Sequence, residues 1–459
     1  MVRIELSELS FSDAPRIVAG PPGPKSKILL DKQIKLEGGA VSYPRGTPVA
    51  FEEGRGATIR DVDGNIFIDF FGGAGVLNVG HCNPDVVRAI KSQVEKLTHS
   101  LDFPTAPRAE LVEEIISVMP GDLKDACKVL FGGPTGSDAV ESSVKLAKFN
   151  TGRQGLIAFF GSYHGMTSGA LALTGDKKFK EKYLPLIPEV HFTPYAYCYR
   201  CAFGLEYPDC GIRCAAYLEH ILNNPNSGVV DPAAVIVEPV QGEGGSIAPP
   251  EEFIREVSRI TEEYSIPIIM DEIQAGLGRT GKMWSCEHSG STPDIMTISK
   301  GIGGGLPLSA IAYKSKLDTW KPGAHIGTFR GHVTAMAAGA AALKFTKEQN
   351  LPKHTAKLGE HMLKRLKEAE EERRYIGDAR GLGLMIGVEF VKDEKTKEPW
   401  PEMAKDVRLE SYKRGVIVEL GGHYYNVIRF LPPLVLTQEL ADKGVDVFLD
   451  AVKTIEKRH

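Results

Sequence analysis

The sequence predicts an α/β protein, with a large, mostly parallel sheet domain and a smaller α+β domain. Three observations lead there. From about residue 105 to 330, strand patterns alternate with helix patterns, the rhythm of a parallel sheet covered on both faces. Near residue 345 that rhythm gives way to a helix, several strands and a last helix. The 459 residues also exceed what one hydrophobic core usually covers, so two domains are expected.

In chain order, residues 1–50 read as an irregular arm. Gly54–Phe71 reads as a hairpin turning at Asp61-Val-Asp-Gly-Asn65, and Gly72–His81 as a glycine-rich loop. Val87, Ile90, Val94 and Leu97 mark one face of an amphipathic helix. Strands are expected at Lys128–Phe131, Leu156–Phe160, Val190–Phe192, Ala234–Glu238, Pro267–Asp271, Ile295–Ser299 and Ser309–Tyr313. Phe253, Val257, Ile260 and Tyr264 have helical spacing, as do Leu358, Met362 and Leu366 farther on. Strands follow at Leu384–Val391, Val416–Leu420 and Val427–Phe430, and a final helix runs through Leu449, Val452 and Ile455. The expected division is residues 1–70 as an N-terminal part of the small domain, 71–340 as the large domain and 341–459 as the rest of the small domain.

Composition narrows the function. A hydrophobic content of 42% and a charged content of 25% are those of an ordinary globular protein. The net charge of −4 offers neither a basic footprint for nucleic acid nor a polybasic membrane anchor. No stretch reaches the ~18 apolar residues of a membrane span. Residues 1–27 lack the apolar core of a signal peptide, so cytoplasm is the expected compartment. Seven cysteines, an odd number, argue against a secreted disulfide framework. Cys198, Cys201, Cys210 and Cys214 are spaced C-x2-C-x8-C-x3-C, which could in principle hold zinc. Their half-sites match no familiar zinc module, so a compact insert of small apolar or paired cysteines is favoured, and no metal is expected.

Lys300 is the centre of the candidate site. It follows the apolar run Ile295–Ile298 and precedes the glycine-rich turn Gly301-Ile-Gly-Gly-Gly305. Open α/β sheets bind ligands at strand carboxyl ends, and a partly desolvated lysine there can form a Schiff base with an aldehyde. Four other loops carry matching chemistry. Gly136 and Ser137, in Phe131-Gly-Gly-Pro-Thr-Gly-Ser-Asp138, open a helix after a strand, which suits a phosphate, although Ser137 or Asp138 could equally be plain helix caps. Tyr163 and His164 lie in Phe160-Gly-Ser-Tyr-His-Gly165, where an aromatic could stack on a flat ring or fold into the core. Glu238 and Glu243 lie in Val237-Glu-Pro-Val-Gln-Gly-Glu-Gly-Gly245, with Glu238 directly after a core strand. Asp271 ends an apolar strand, and a carboxylate buried there needs a partner such as a protonated pyridine nitrogen. Together these residues imply pyridoxal 5′-phosphate.

Two stretches then make the chain recognisable: Ile269-Met-Asp-Glu-Ile-Gln-Ala-Gly-Leu-Gly-Arg-Thr-Gly281 and Ser299-Lys-Gly-Ile-Gly-Gly-Gly-Leu-Pro307. The sequence resembles the class III aminotransferases of the fold type I pyridoxal-phosphate enzymes, from Ile59-Arg-Asp-Val-Asp-Gly64 to Ile428-Arg-Phe-Leu-Pro-Pro-Leu434. The resemblance implies that Lys300 carries the cofactor and shuttles the proton, that Asp271 pairs with the pyridine nitrogen, and that Gln274 lies near the ring hydroxyl. It implies that Tyr163 stacks on the ring and that Gly136 and Ser137 bind the phosphate; His164 and Glu238 are further cofactor-binding candidates. Thr328, in Gly327-Thr-Phe-Arg-Gly331, matches a threonine that reaches the phosphate across a dimer interface, so a homodimer, or a dimer of dimers, is implied. Arg429 matches an arginine that binds a substrate carboxylate, and Glu243 a glutamate that masks it.

The phosphate loop reads Pro-Thr-Gly-Ser-Asp where the family more usually has Asn-Ser-Gly-Thr-Glu. The insert Tyr197–Cys214 occurs in a subset resembling 4-aminobutyrate, ornithine and diaminobutyrate aminotransferases, some members of which are amino-acid racemases or epimerases. The expected activity is amino transfer from an amino acid or ω-amine to a 2-oxo acid, with racemisation the alternative.

Overall fold

The computed structural model describes residues 5–459, which divide into two compact units, residues 5–84 with 353–459, and residues 85–352. The second unit is built on a seven-stranded sheet. Its strands are β1 (Cys127–Gly133), β2 (Gly155–Phe159), β3 (Val190–Thr193), β4 (Pro232–Val237), β5 (Ile268–Asp271), β6 (Ile295–Ile298) and β7 (Ser309–Lys314). They lie in the order β1-β7-β6-β5-β4-β2-β3. Only β7 runs against its neighbours, pairing antiparallel with both β1 and β6.

Side-chain alternation shows why this sheet is buried on both faces. Ile157, Phe159, Val235, Val237, Ile268 and Met270 enter one core, with Leu111, Ile115, Phe253, Val257 and Ile260 from helices. Leu156, Ala158, Ala234, Ile236 and Ile269 enter another, with Ala139, Val140, Val144 and Ala147 from the helix α1 (Gly136–Thr151). β2, β4 and β5 each feed both cores because successive side chains point to opposite faces. Apolar runs without polar alternation are the sequence record of that arrangement.

The first unit holds two four-stranded sheets. One pairs Phe51–Arg55, Thr58–Asp61 and Ile66–Asp69 in sequence and adds Val416–Ile417 parallel to Ile66–Asp69. The other is antiparallel: Ile376–Leu382, Met385–Phe390, Val427–Phe430 and Glu419–Gly421. The single strand expected at Val416–Leu420 is therefore two. Its first half joins one sheet and its second half the other, with Val418 between them, because one straight strand cannot serve two sheets.

The N-terminal arm is also more regular than expected. Pro24–Leu36 is an α-helix, of which only Ser26 is buried. A mostly exposed helix leaves little apolar periodicity to read. Its start is secured from elsewhere: the Asp63 carboxylate accepts the N–H groups of Lys25 and Ser26, both at 2.8 Å. Pro24 at the first turn was the local signal, since proline fits where the N–H has no intrahelical partner.

Gly359, on the helix Leu351–Glu372, lies against the backbone of Gly383, and an added Cβ would come within 2.0 Å of the Gly383 carbonyl oxygen. Backbone cannot yield as a side chain does. Gly359→Ala is expected to destabilise the protein by about 1–3 kcal/mol, read as a lower urea midpoint with an unchanged slope.

Candidate active site

Strands β1, β2, β4, β5 and β6 run in one direction, so their carboxyl ends share one edge of the sheet. Apart from Thr328, the candidate residues of this unit sit at the strand ends or on the loops leaving that edge. Asp271, the last residue of β5, is 4% exposed. Its Oδ1 accepts the Ile273 N–H at 3.0 Å and the Thr297 hydroxyl at 3.1 Å. Its Oδ2 lies 2.6 Å from Nδ1 of buried His164. An ionised carboxylate can only accept, so Nδ1 carries the proton of this hydrogen bond, and Nε2 is the other ring nitrogen. Among the described residues that Nε2 has no hydrogen-bond partner. The His164 backbone is held in turn, its N–H donating to Thr174 Oγ1 at 3.1 Å.

His164 is thus a partner of Asp271, a role its position beside Tyr163 did not reveal. Thr297 went unnoticed in the sequence. Its signal was a lone hydroxyl in the apolar strand Ile295–Ile298, but threonine is too ordinary in strands for that to stand out. The register of β5 and β6 pairs Asp271 with Thr297, which brings the two side chains together.

The start of α1 is capped by Asp138, whose Oδ2 accepts both the Thr135 N–H at 2.8 Å and the Thr135 hydroxyl at 2.7 Å. That frees Ser137 from capping; its Oγ instead accepts the Met166 N–H at 3.2 Å. The first N–H groups of a helix have no intrahelical acceptor, and the dipole makes that end positive. The N–H groups of Gly136 and Ser137 are placed there. A Cβ on Gly136 would meet Ile273 at 2.9 Å, so this helix end lies directly against the loop that follows Asp271.

Glu238 follows β4 and is 6% exposed. Its Oε1 accepts the Tyr163 N–H at 3.0 Å and its Oε2 the Gly242 N–H at 2.8 Å. Burial pushes its carboxyl up to about 7, with His164 opposing the rise and Asp271 adding to it. The Tyr163 ring is half-buried and packs edge-on to Phe179, with centroids 6.1 Å apart. Gln274 Nε2 approaches Glu243 Oε1 at 3.4 Å.

Lys300 opens a short 3-10 turn, Lys300–Gly303, just past β6, with a positive φ of 51°. A left-handed backbone on a long side chain costs free energy, and such strain gathers at functional sites. Thr328 is exposed, and its carbonyl accepts from His99 Nε2 at 2.7 Å. Arg429 belongs to the other unit, on Val427–Phe430, and is 1% exposed. Burial pushes the Cys214 thiol up to about 12. Among the described residues no group of three or more His, Cys, Asp or Glu could hold a metal ion.

A lysine, a supported carboxylate and a helix N-terminus along one sheet edge define an enzyme of the pyridoxal-phosphate kind. The Aminotransferase class-III profile matches residues 41–452, and the chain belongs to that family, which uses pyridoxal 5′-phosphate to pass an amino group to a 2-oxo acid. It is 42% identical to a diaminobutyrate–2-oxoglutarate aminotransferase from Rhizobium meliloti, over 90% of each chain. It is 38% identical to an alanine/serine racemase from Pyrococcus horikoshii, over 97% of this chain and 94% of that one. The structure superposes, with a TM-score of 0.82 and 28% identity, on an amine transaminase from an uncultivated Pseudomonas species in its PLP-bound form, covering 92% of this chain and 98% of that one. The residues present suit the cofactor chemically: amide donors and a positive helix end for a phosphate, an oriented carboxylate for a ring nitrogen, an amine for an aldehyde.

Glu238 also leaves a signature in stability. A carboxyl whose folded-state value lies above its unfolded one binds protons more tightly when folded, so it favours folding at low pH and loses that contribution as pH rises. Its window runs from the ordinary 4.5 to about 7. Urea unfolding of cofactor-stripped protein should show the stability of the wild type falling relative to Glu238→Gln between pH 4.5 and 7. A difference that stays flat or grows would contradict the burial of this charge.

Proposed function

We propose that the protein moves the terminal amino group of a diamino acid or ω-amino acid to a 2-oxo dicarboxylate, with diaminobutyrate and 2-oxoglutarate as the model pair. The observation that carries this is the 42% identity, over 90% of each chain, to an enzyme named for those two substrates.

Pyridoxal phosphate supplies an aldehyde on which amines condense and a ring that accepts the electron pair left by a departing proton. Lys300 would hold the cofactor's aldehyde, and its amine, when free, would take the proton from the substrate carbon bearing nitrogen. Asp271, oriented by Thr297 and His164, would keep a proton on the ring nitrogen. Gly136 and Ser137 would hold the phosphate through backbone N–H groups, joined by the hydroxyl of Thr328 of the partner subunit. Tyr163 and Gln274 would hold the ring. On the family resemblance, Arg429 would recognise a substrate carboxylate, and Glu243 would favour ω-amine donors.

A dimer belongs to this reading. Ile326 and Phe329, flanking Thr328, are 76% and 59% exposed, and Phe103 is 71% exposed. The segments are neighbours, since the Ser100 N–H donates to the Gly331 carbonyl at 2.9 Å. Exposed aromatic and aliphatic side chains gathered this way favour association. The odd number of cysteines, seven, argues against a secreted disulfide framework and favours a reducing compartment, the cytoplasm.

The holoenzyme given diaminobutyrate and 2-oxoglutarate should form glutamate, and Lys300→Ala should lower turnover by at least about 10²–10⁴-fold. The racemase reading is favoured by the likeness to an alanine/serine racemase. It predicts inversion of an L-amino acid with no oxo acid present, followed by optical rotation. Inversion without amino transfer would replace the present assignment. Glu243→Gln should shift the ratio of kcat/KM for ω-amine over α-amino donors by about tenfold or more, the worth of one charged hydrogen bond. An unchanged ratio counts against Glu243 as the masking residue.

A further inference from the structure

We infer that Glu238 is a positioning residue that clamps the Tyr163 loop to the Glu243-bearing turn, so that the ring face and the selecting carboxylate are set by one buried side chain. The inference rests on the aminotransferase reading and assigns Glu238 a task other than touching the cofactor. Each of its carboxylate oxygens accepts a backbone N–H, and the two N–H groups belong to different loops: Tyr163 at 3.0 Å and Gly242 at 2.8 Å. Glu243 follows Gly242 directly.

The clamp is anchored at its base. The Tyr195 hydroxyl, fully inside the core, donates to the carbonyl oxygens of Glu238 at 2.9 Å and Pro239 at 3.2 Å. The backbone from which the carboxylate projects is therefore tied to the segment leaving β3. A second link runs alongside. Gln241 Nε2 donates to the Phe160 carbonyl at 2.9 Å, and a Cβ on Gly244 would come within 2.8 Å of the Gly161 carbonyl oxygen. The two loops thus meet at three places within seven residues of chain, Glu238 to Gly244.

The choice of a carboxylate has a chemical reason. Two N–H groups converge on one side chain, and an ionised carboxylate offers an acceptor to each, whereas an amide offers one acceptor and turns its NH₂ towards the other donor. Burying that charge is costly, and His164, Asp271 and Tyr195 are the titratable groups facing it. A group with no task beyond filling space would be replaced more cheaply by an apolar or amide side chain of the same shape.

The test uses the holoenzyme. The wild type is first checked for the visible band of bound pyridoxal phosphate; its absence would sink the aminotransferase reading rather than this inference. In Glu238→Gln, backbone hydrogen exchange at Tyr163 and Gly242 should quicken by about tenfold or more, the loss of one charge-assisted hydrogen bond. The circular dichroism of the cofactor band should change in amplitude as the ring face shifts, and the cofactor dissociation constant should rise by a similar factor. Gln241→Leu, which cuts only the second link, should give the same changes at smaller size and serves if Glu238→Gln does not fold. Normal exchange, dichroism and cofactor affinity in the variants, with only a lowered Tm, would reduce Glu238 to an ordinary buried side chain and overturn the inference.

Discussion

A carboxylate at the end of an apolar strand must be solvated by protein, because water does not reach it. Asp271 is in that position, and much of the site's architecture follows from satisfying it. One oxygen takes a hydroxyl from the neighbouring strand and an N–H from its own turn, and the other takes the imidazole of His164. Each donor comes from a different place in the chain. Their convergence requires β5 and β6 to be in register and the loop after β2 to fold back over β5. The result is a charge whose orientation is settled before any ligand arrives, and preorganised charge is what makes a site catalytically useful.

The same crowding explains the glycines better than flexibility does. Gly165, with a φ of 128°, lies where a Cβ would come within 2.1 Å of Ser137 Oγ, so the loop over Asp271 and the phosphate-type helix end are in contact through it. Gly242 lies where a Cβ would come within 2.0 Å of Gln274 Oε1, which joins the Glu238 loop to the Asp271 loop. Such contacts tie neighbouring strand ends into one rigid rim. A motif that looks like a loose glycine-rich turn in sequence is, in the fold, a place where two backbones or a backbone and a side chain pass at minimum distance.

Much of the large sheet could be read in advance because its strands are short and apolar with helices between them, and burial on both faces leaves no other composition possible. The phosphate-type loop shows where reading falters. Pro134-Thr-Gly-Ser-Asp138 departs from the usual family pattern, yet Asp138 reaches back to Thr135 and caps the helix, leaving the helix end open. The helix Pro24–Leu36 was hidden because its cap, Asp63, comes from a distant hairpin turn and its own surface is mostly exposed. The break at Val418 was hidden because a continuous apolar run does not announce that its two halves pair with different sheets.

Local chemistry alone therefore determined the kinds of group at the site and the sheet that carries them. A lysine after an apolar strand, an acid ending another and glycines opening a helix are adjacent in sequence to the elements that define them, and period and residue type suffice to find them. Which of these groups support one another was decided only in three dimensions. His164 and Asp271 are 107 residues apart, and Tyr163 and Glu238 are 75 apart. Hydrogen bonds across such separations depend on strand order and register, which arise when the whole chain packs and leave no trace in any single stretch of it.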